Sequence, residues 1–215
     1  VSVRNYVGSS DDQTITEIAV EEQSTGELSI GLGYSSIDKS SIMFGIDERN
    51  FLGTGRAVSL SLDLAKTRTN LSLGVTEPYL FGRNLTGRAT LFNDKAKLNQ
   101  TTATRTGFDF GIGFSAANDF YHNVRYELSQ AKTTSNATNA SSITGENGKT
   151  ILTSAVGYTL SRDKRDNRFD PTEGTLLRID QQLGGLGGDA KFYKATIDGA
   201  YYKPFNFNTF VFGAK

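Results

Sequence analysis

Apolar residues recur at every second position over nearly the whole chain, and this alternation limits the folds open to it more than any other feature. After Glu27, the residues Leu28, Ile30, Leu32 and Tyr34 alternate with Ser29, Gly31, Gly33 and Ser35. Val58, Leu60, Leu62 and Leu64 alternate with Ala57, Ser59, Ser61 and Asp63, and Phe108, Phe110, Ile112 and Phe114 with Asp109, Gly111 and Gly113. Strict period two marks a strand with two unlike faces. The same reading over 41–47, 71–75, 89–91, 124–129, 152–160, 177–183, 193–201 and from 210 onward predicts about eleven strands of roughly ten residues.

The unlike faces need two solvents. No run approaches the roughly 20 apolar residues of a spanning helix, whereas a membrane strand needs only alternate ones. Only 37% of the 215 residues are hydrophobic, yet there are 14 Phe and 9 Tyr, spread thinly instead of gathered for one core. Asp63, Arg125, Glu127 and Asp198 fall on the polar face, where they suit a water-filled lumen and would be costly in the dry core of a β-sandwich. The expected fold is therefore all-β, a transmembrane antiparallel β-barrel. If the strand at Glu27 rises from a near side, the far-side connections include 94–105, the polar stretch 133–150 and 184–188. The near-side ones are 50–56, 77–84, 115–120, 162–174 and 203–208. Long polar loops at the far side place that side outside the cell.

Other signals bound the function. A net charge of +0 argues against nucleic acid as a partner, and the absence of cysteine removes disulfides and thiolate metal sites. Val1 opens no signal peptide, and residues 1–23 read as two short strands around the Gly8–Asp12 turn, ending in a polar hinge. The expected division is 1–23 as the end of a preceding soluble domain and 24–215 as barrel, within a longer protein. Gly148-Lys149-Thr150 ends like a phosphate-binding loop, but Ile143 stands where its first glycine is required. His122, the lone histidine, reads as a surface residue at a strand end, and residues 162–168 as a salt-bridged or solvated turn. No catalytic residue, cofactor or metal is expected.

Larger landmarks carry a family resemblance. Glu21 to Ser36, followed by Asp47-Glu48-Arg49-Asn50-Phe51-Leu52-Gly53-Thr54-Gly55, resembles the junction between the last POTRA domain and the first barrel strands of the BamA family. Thr76-Glu77-Pro78-Tyr79-Leu80, Phe169-Asp170-Pro171-Thr172-Glu173-Gly174 and Tyr202-Lys203-Pro204 resemble later landmarks of that family in order and spacing. The resemblance implies about eleven of sixteen barrel strands, with 1–23 closing a periplasmic POTRA domain. The family's Val-Arg-Gly-Tyr/Phe outer-loop motif and its closing strand do not occur in these 215 residues.

The resemblance also implies a function: folding and insertion of barrel proteins in the bacterial outer membrane. Its partners would be unfolded outer-membrane proteins, outer-membrane lipid and accessory lipoproteins. Residues 27–35 (Glu27, Leu28, Ser29, Ile30, Gly31, Leu32, Gly33, Tyr34 and Ser35) would form the strand whose edge pairs with a client's last strand. Gly31 and Gly33 either loosen that edge or relieve crowding inside the barrel. Proline at Ser29 or Gly31 is the expected way to remove a donor from the pairing edge. The alternatives are a two-partner secretion transporter, a TamA-like assembly factor, a passive porin, and an outer-membrane enzyme with a Ser/His or acidic cluster at its rim.

Overall fold

The computed structural model describes residues 2–10, 12–21, 24–116, 119–135, 148–205 and 210–214. β1 (Ser2–Val7) and β2 (Thr14–Ala19) pair as an antiparallel hairpin. β3 (Gly26–Ser35), β4 (Lys39–Glu48), β5 (Ala57–Ala65), β6 (Arg68–Glu77), β7 (Thr86–Leu98) and β8 (Thr101–Ser115) begin a single antiparallel sheet. β9 (Phe120–Ser135), β10 (Thr150–Asp163), β11 (Gly174–Gly184), β12 (Phe192–Phe205) and β13 (Phe210–Ala214) complete it. The eleven strands neighbour one another in chain order.

The register turns the alternation into rows. Leu28, Ile46, Leu60, Leu73, Leu91, Phe108 and Leu128 lie directly opposite one another across seven strands. One residue along is the row Ser29, Gly45, Ser61, Ser72, Phe92, Gly107 and Ser129, small apart from Phe92. Neighbouring rows point to opposite faces. Among the described residues only Ala155 and Tyr202 are buried hydrophobics, while Leu28 and Leu32 are 62% and 80% exposed. The apolar face has no core to enter, so its solvent is hydrocarbon.

The apolar band runs obliquely across these rows. In β3 it covers Leu28 to Tyr34, centred on Gly31, and in β8 Phe108 to Phe114, centred on Gly111. Followed through Met43, Asp63, Asn70 and Asp94, Gly31 stands opposite Arg105, six residues from the β8 centre. Six residues at about 3.4 Å against five strand spacings of about 4.8 Å is a slope of about 40°, the tilt of strands in an outer-membrane barrel. A band tilted in this way lies level in a bilayer.

Three connections differ from expectation. Residues 94–105 are not a loop: β7 and β8 continue to Leu98 and Thr101 and close around Asn99 and Gln100, with Asn99 at φ 53°. The outward positions there are Lys and Thr, so the apolar alternation stops although the strands do not. Residues 184–188 do not hang free. The N–H groups of Gly185 and Asp189 donate to the carbonyls of Ser154 (3.0 Å) and Leu152 (2.7 Å), extending the β10 edge beyond its last β11 partner. Gly188 must be glycine, since a Cβ would stand 2.6 Å from the Leu152 carbonyl oxygen. Within 133–150, β9 runs through Ser135 and β10 starts at Thr150. Residues 136–147 between them, with Asn136 and Asn139, lie outside the described residues, as does Gln23 at the expected domain boundary.

Candidate functional site

β3 pairs with β4 alone, from Gly26 opposite Glu48 to Ser35 opposite Lys39, and its other side meets no described strand. The groups facing that side follow from hydrogen-bond parity. Arg49 N–H donates to Thr25 O at 3.4 Å, one step beyond the paired segment and in the same register. In an antiparallel pair, bonded and non-bonded positions alternate. Glu27, Ser29, Gly31, Gly33 and Ser35 therefore direct N–H and C=O at β4, and Leu28, Ile30, Leu32 and Tyr34 direct theirs at the open side. Carried across the sheet, this parity requires Lys97 to bond Thr67 and Leu98 to bond Thr101. Lys97 N–H does donate to Thr67 O at 2.6 Å, and a two-residue turn closes on a bonded pair. Proline at Ser29 or Gly31 would thus break the β3–β4 ladder, and the edge-facing donors belong to Leu28, Ile30, Leu32 and Tyr34.

The two glycines face inward, opposite Met43 and Ser41. A Cβ on Gly31 would stand 3.1 Å from Met43 Cε, and one on Gly33 2.6 Å from Ser41 Oγ. A side chain at either position would make the Met43 methyl or the Ser41 hydroxyl rotate away.

The inner face elsewhere is an ion-pair lattice. Arg125 on β9 reaches over β10 to grip Asp180 on β11 with both terminal nitrogens, at 2.7 and 2.8 Å. Thr159 lies between, accepting from Arg125 at 2.8 Å and donating to Asp180 at 2.6 Å. The crossing point is Gly157, where a Cβ would stand 2.6 Å from the Arg125 guanidinium carbon. Arg105 pairs with Glu127 at 2.6 Å, and Glu127 also accepts from Ser129 and Gln182. Arg88, Asp109, Arg125, Arg178 and Asp180 line a water-accessible hollow of about 730 Å³. These links join residues up to 55 positions apart, so only the register reveals them.

His122 stands near the start of β9, as expected of a strand-end residue, but it is less exposed than a surface residue and has partners. It is half-buried on the outward face, stacked on Phe114 at 5.0 Å, with Nδ1 2.8 Å from the Tyr158 hydroxyl. At the same end, the turn between β10 and β11 is tightly knit. Arg165 clasps both oxygens of Asp163 at 2.8 Å. Asp166 accepts from the Thr172 hydroxyl and from the N–H groups of Thr172 and Glu173, which hold its carboxyl well below the usual range. Lys164 ties this turn to Asp119 in the preceding one. The charged cluster at 162–168 is a salt-bridged turn.

Residues 50–215 match the Omp85 superfamily domain, from the first residue of the Asn50–Gly55 turn through both edges of the inner lattice. The chain belongs to the Omp85 superfamily. It is 29% identical over 185 residues to the outer membrane protein assembly factor BamA of Neorickettsia risticii, covering 84% of this chain and 25% of that protein. To BamA of Nitratidesulfovibrio vulgaris it is 27% identical over 197 residues, covering 87% of this chain and 24% of that protein. The fold is that of the crystal structure of BamA from Haemophilus ducreyi lacking POTRA domains 1–3. That likeness has a TM-score of 0.76 at 20% identity and covers 99% of this chain and 44% of the other. The chain thus spans about a quarter of the curated relatives it matches. The BamA-like resemblance and the barrel class read from the sequence are both borne out.

Proposed function

We propose that the protein containing this chain folds and inserts β-barrel proteins into the bacterial outer membrane, and that β3 is the strand on which a client is templated. The observation that carries the reading is the side of β3 turned away from β4. There Leu28, Ile30, Leu32 and Tyr34 offer an alternating row of donors and acceptors, with their side chains on the hydrocarbon face. A client's last strand can add to that row by β-augmentation, with the main chain supplying the bonds and folding into lipid supplying the free energy. No covalent chemistry is required. The partners are unfolded outer-membrane proteins, outer-membrane lipid and accessory lipoproteins, with residues 1–23 as the periplasmic end of a POTRA domain. The BamA names of the relatives and the shared barrel fold support this assignment.

The parity supplies a paired test in the full-length protein. Leu32→Pro removes a donor that faces the client and leaves the β3–β4 bonds in place, as proline on a free edge can. Each client carbonyl left unpaired in lipid costs about 3 kcal/mol, so client folding should slow by roughly a hundredfold while the protein's own insertion is unchanged. Gly31→Pro should instead weaken the protein's own barrel. Normal client folding by the Leu32→Pro variant would refute the assignment of this edge.

A further inference from the structure

The outward face of the extended β7–β9 strands carries a second feature that strand pairing does not use. Its last apolar row is Leu91, Phe108 and Leu128. The next row toward the far end is Asn93, Thr106 and Gln130, and the one after it Lys95, Thr104 and Lys132. Lys97 and Thr102 follow, opposite one another. Lys95, Lys97 and Lys132 are all exposed and make no ion pair among the described residues. No carboxylate lies on this outward face among the described residues of the three strands beyond the last apolar row. Asp94 and Arg105, in the same stretch, point inward. The three lysines therefore share the outward face without a balancing carboxylate among the described residues there, while Arg105 meets Glu127 on the inner one.

We infer that this face is a binding site for the phosphorylated headgroup of a membrane lipid in the far-side leaflet. Three observations select that occupant. First, the patch continues the hydrocarbon-facing rows without a break, so whatever touches Phe108 and Leu128 below extends past the lysines above. Second, the height fits. Lys95 and Lys132 are each four residues beyond the last outward apolar residue of their own strand, about 14 Å along the strand and about 10 Å along the normal at a 40° tilt. The slope of the row sets Lys132 about 6 Å farther from the midplane than Lys95, a step the two long side chains can bridge. With the lysine stems able to bend back over the apolar rows, the ammonium groups fall in the headgroup layer. Third, the chemistry is complementary. Lys95 and Lys132 flank Thr104 from adjoining strands, their Cα atoms about 10 Å apart, so both ammonium groups can close on one headgroup while threonine hydroxyls donate to its phosphate oxygens. A headgroup with two phosphates would engage Lys97 as well.

The test uses the full-length protein in phosphatidylcholine mixed micelles, titrated with a diphosphorylated glycolipid and, separately, with inorganic phosphate. Near a charged membrane surface each lysine contributes about fivefold, so K95Q/K97Q/K132Q should weaken glycolipid binding by at least about tenfold. K95R/K97R/K132R should retain it, and K39Q/K191Q/K194Q, which removes as much charge elsewhere, should bind as the parent does. Circular dichroism of each variant should match the parent, since all six lysines are exposed. Three results would overturn the site: equal binding by the K95Q/K97Q/K132Q variant, an equal loss in the control variant, or inorganic phosphate displacing the glycolipid at comparable concentration.

Discussion

Leu28, Leu73 and Phe108 share one row of the sheet, so an untilted sheet would hold them at one depth. The oblique apolar band places them differently. Leu73 is the centre of the β6 run Leu71 to Val75, whereas Leu28 is the near rim of the β3 run and Phe108 the far rim of the β8 run. Each rim residue is three positions from the centre of its run, about 10 Å along the strand and about 8 Å along the normal. Arginine on the lipid face costs about 2–4 kcal/mol at the midplane and about 0–1 near the interfaces. Leu73→Arg should therefore destabilise the full-length barrel by about 3 kcal/mol, and Leu28→Arg and Phe108→Arg by about 1 or less. Ser72→Arg, one residue along and facing the lumen, should cost little. Equilibrium unfolding from lipid vesicles in denaturant reads these differences directly. Equal costs at the three row-mates would refute the tilt, and a Ser72→Arg cost matching Leu73→Arg would refute the assignment of faces.

Gly157→Ala should push Arg125 off Asp180 and cost about 1.5–3 kcal/mol by the same assay, with Asp180→Asn giving little further loss in the double variant. The turn between β10 and β11 should respond to acid. Because bonding depresses the Asp166 carboxyl, its contribution is complete above the ordinary carboxylate range and lost as pH falls toward the depressed value. Protection of the Thr172 and Glu173 amides, taken relative to their intrinsic exchange rates at each pH, should therefore fall in acid, and in Asp166→Asn it should already be reduced at neutral pH. An epitope inserted between Asn99 and Gln100 should be labelled on intact cells; labelling only after the outer membrane is opened would invert the topology.

The strands were legible wherever one face meets hydrocarbon, because there the sequence must alternate. They became illegible where β7 and β8 rise past the membrane, since Lys95, Thr104 and Thr106 face water or headgroups and no contrast remains between the faces. That Gly31 and Gly33 stand opposite Met43 and Ser41 follows from the register, which periodicity leaves open. The Arg125–Asp180 clasp and the Tyr158 partner of His122 depend on which residues stand side by side two strands apart or across a strand pair, which periodicity alone does not fix. Hydrogen-bond parity was likewise out of reach, and it moved the informative proline positions from Ser29 and Gly31 to Ile30 and Leu32.

Disulfide mapping reads out whether the open edge of β3 receives a client strand. Single cysteines at positions 28 to 34 of the full-length protein are paired with single cysteines along the last strand of a client stalled during assembly. One antiparallel register is expected, so that moving two residues forward on β3 moves the partner two residues back on the client. Cysteines at Ser59 or Ser72, on interior strands, should give none. Cross-links of equal yield from Ser59 or Ser72, or several registers of equal yield from β3, would contradict it.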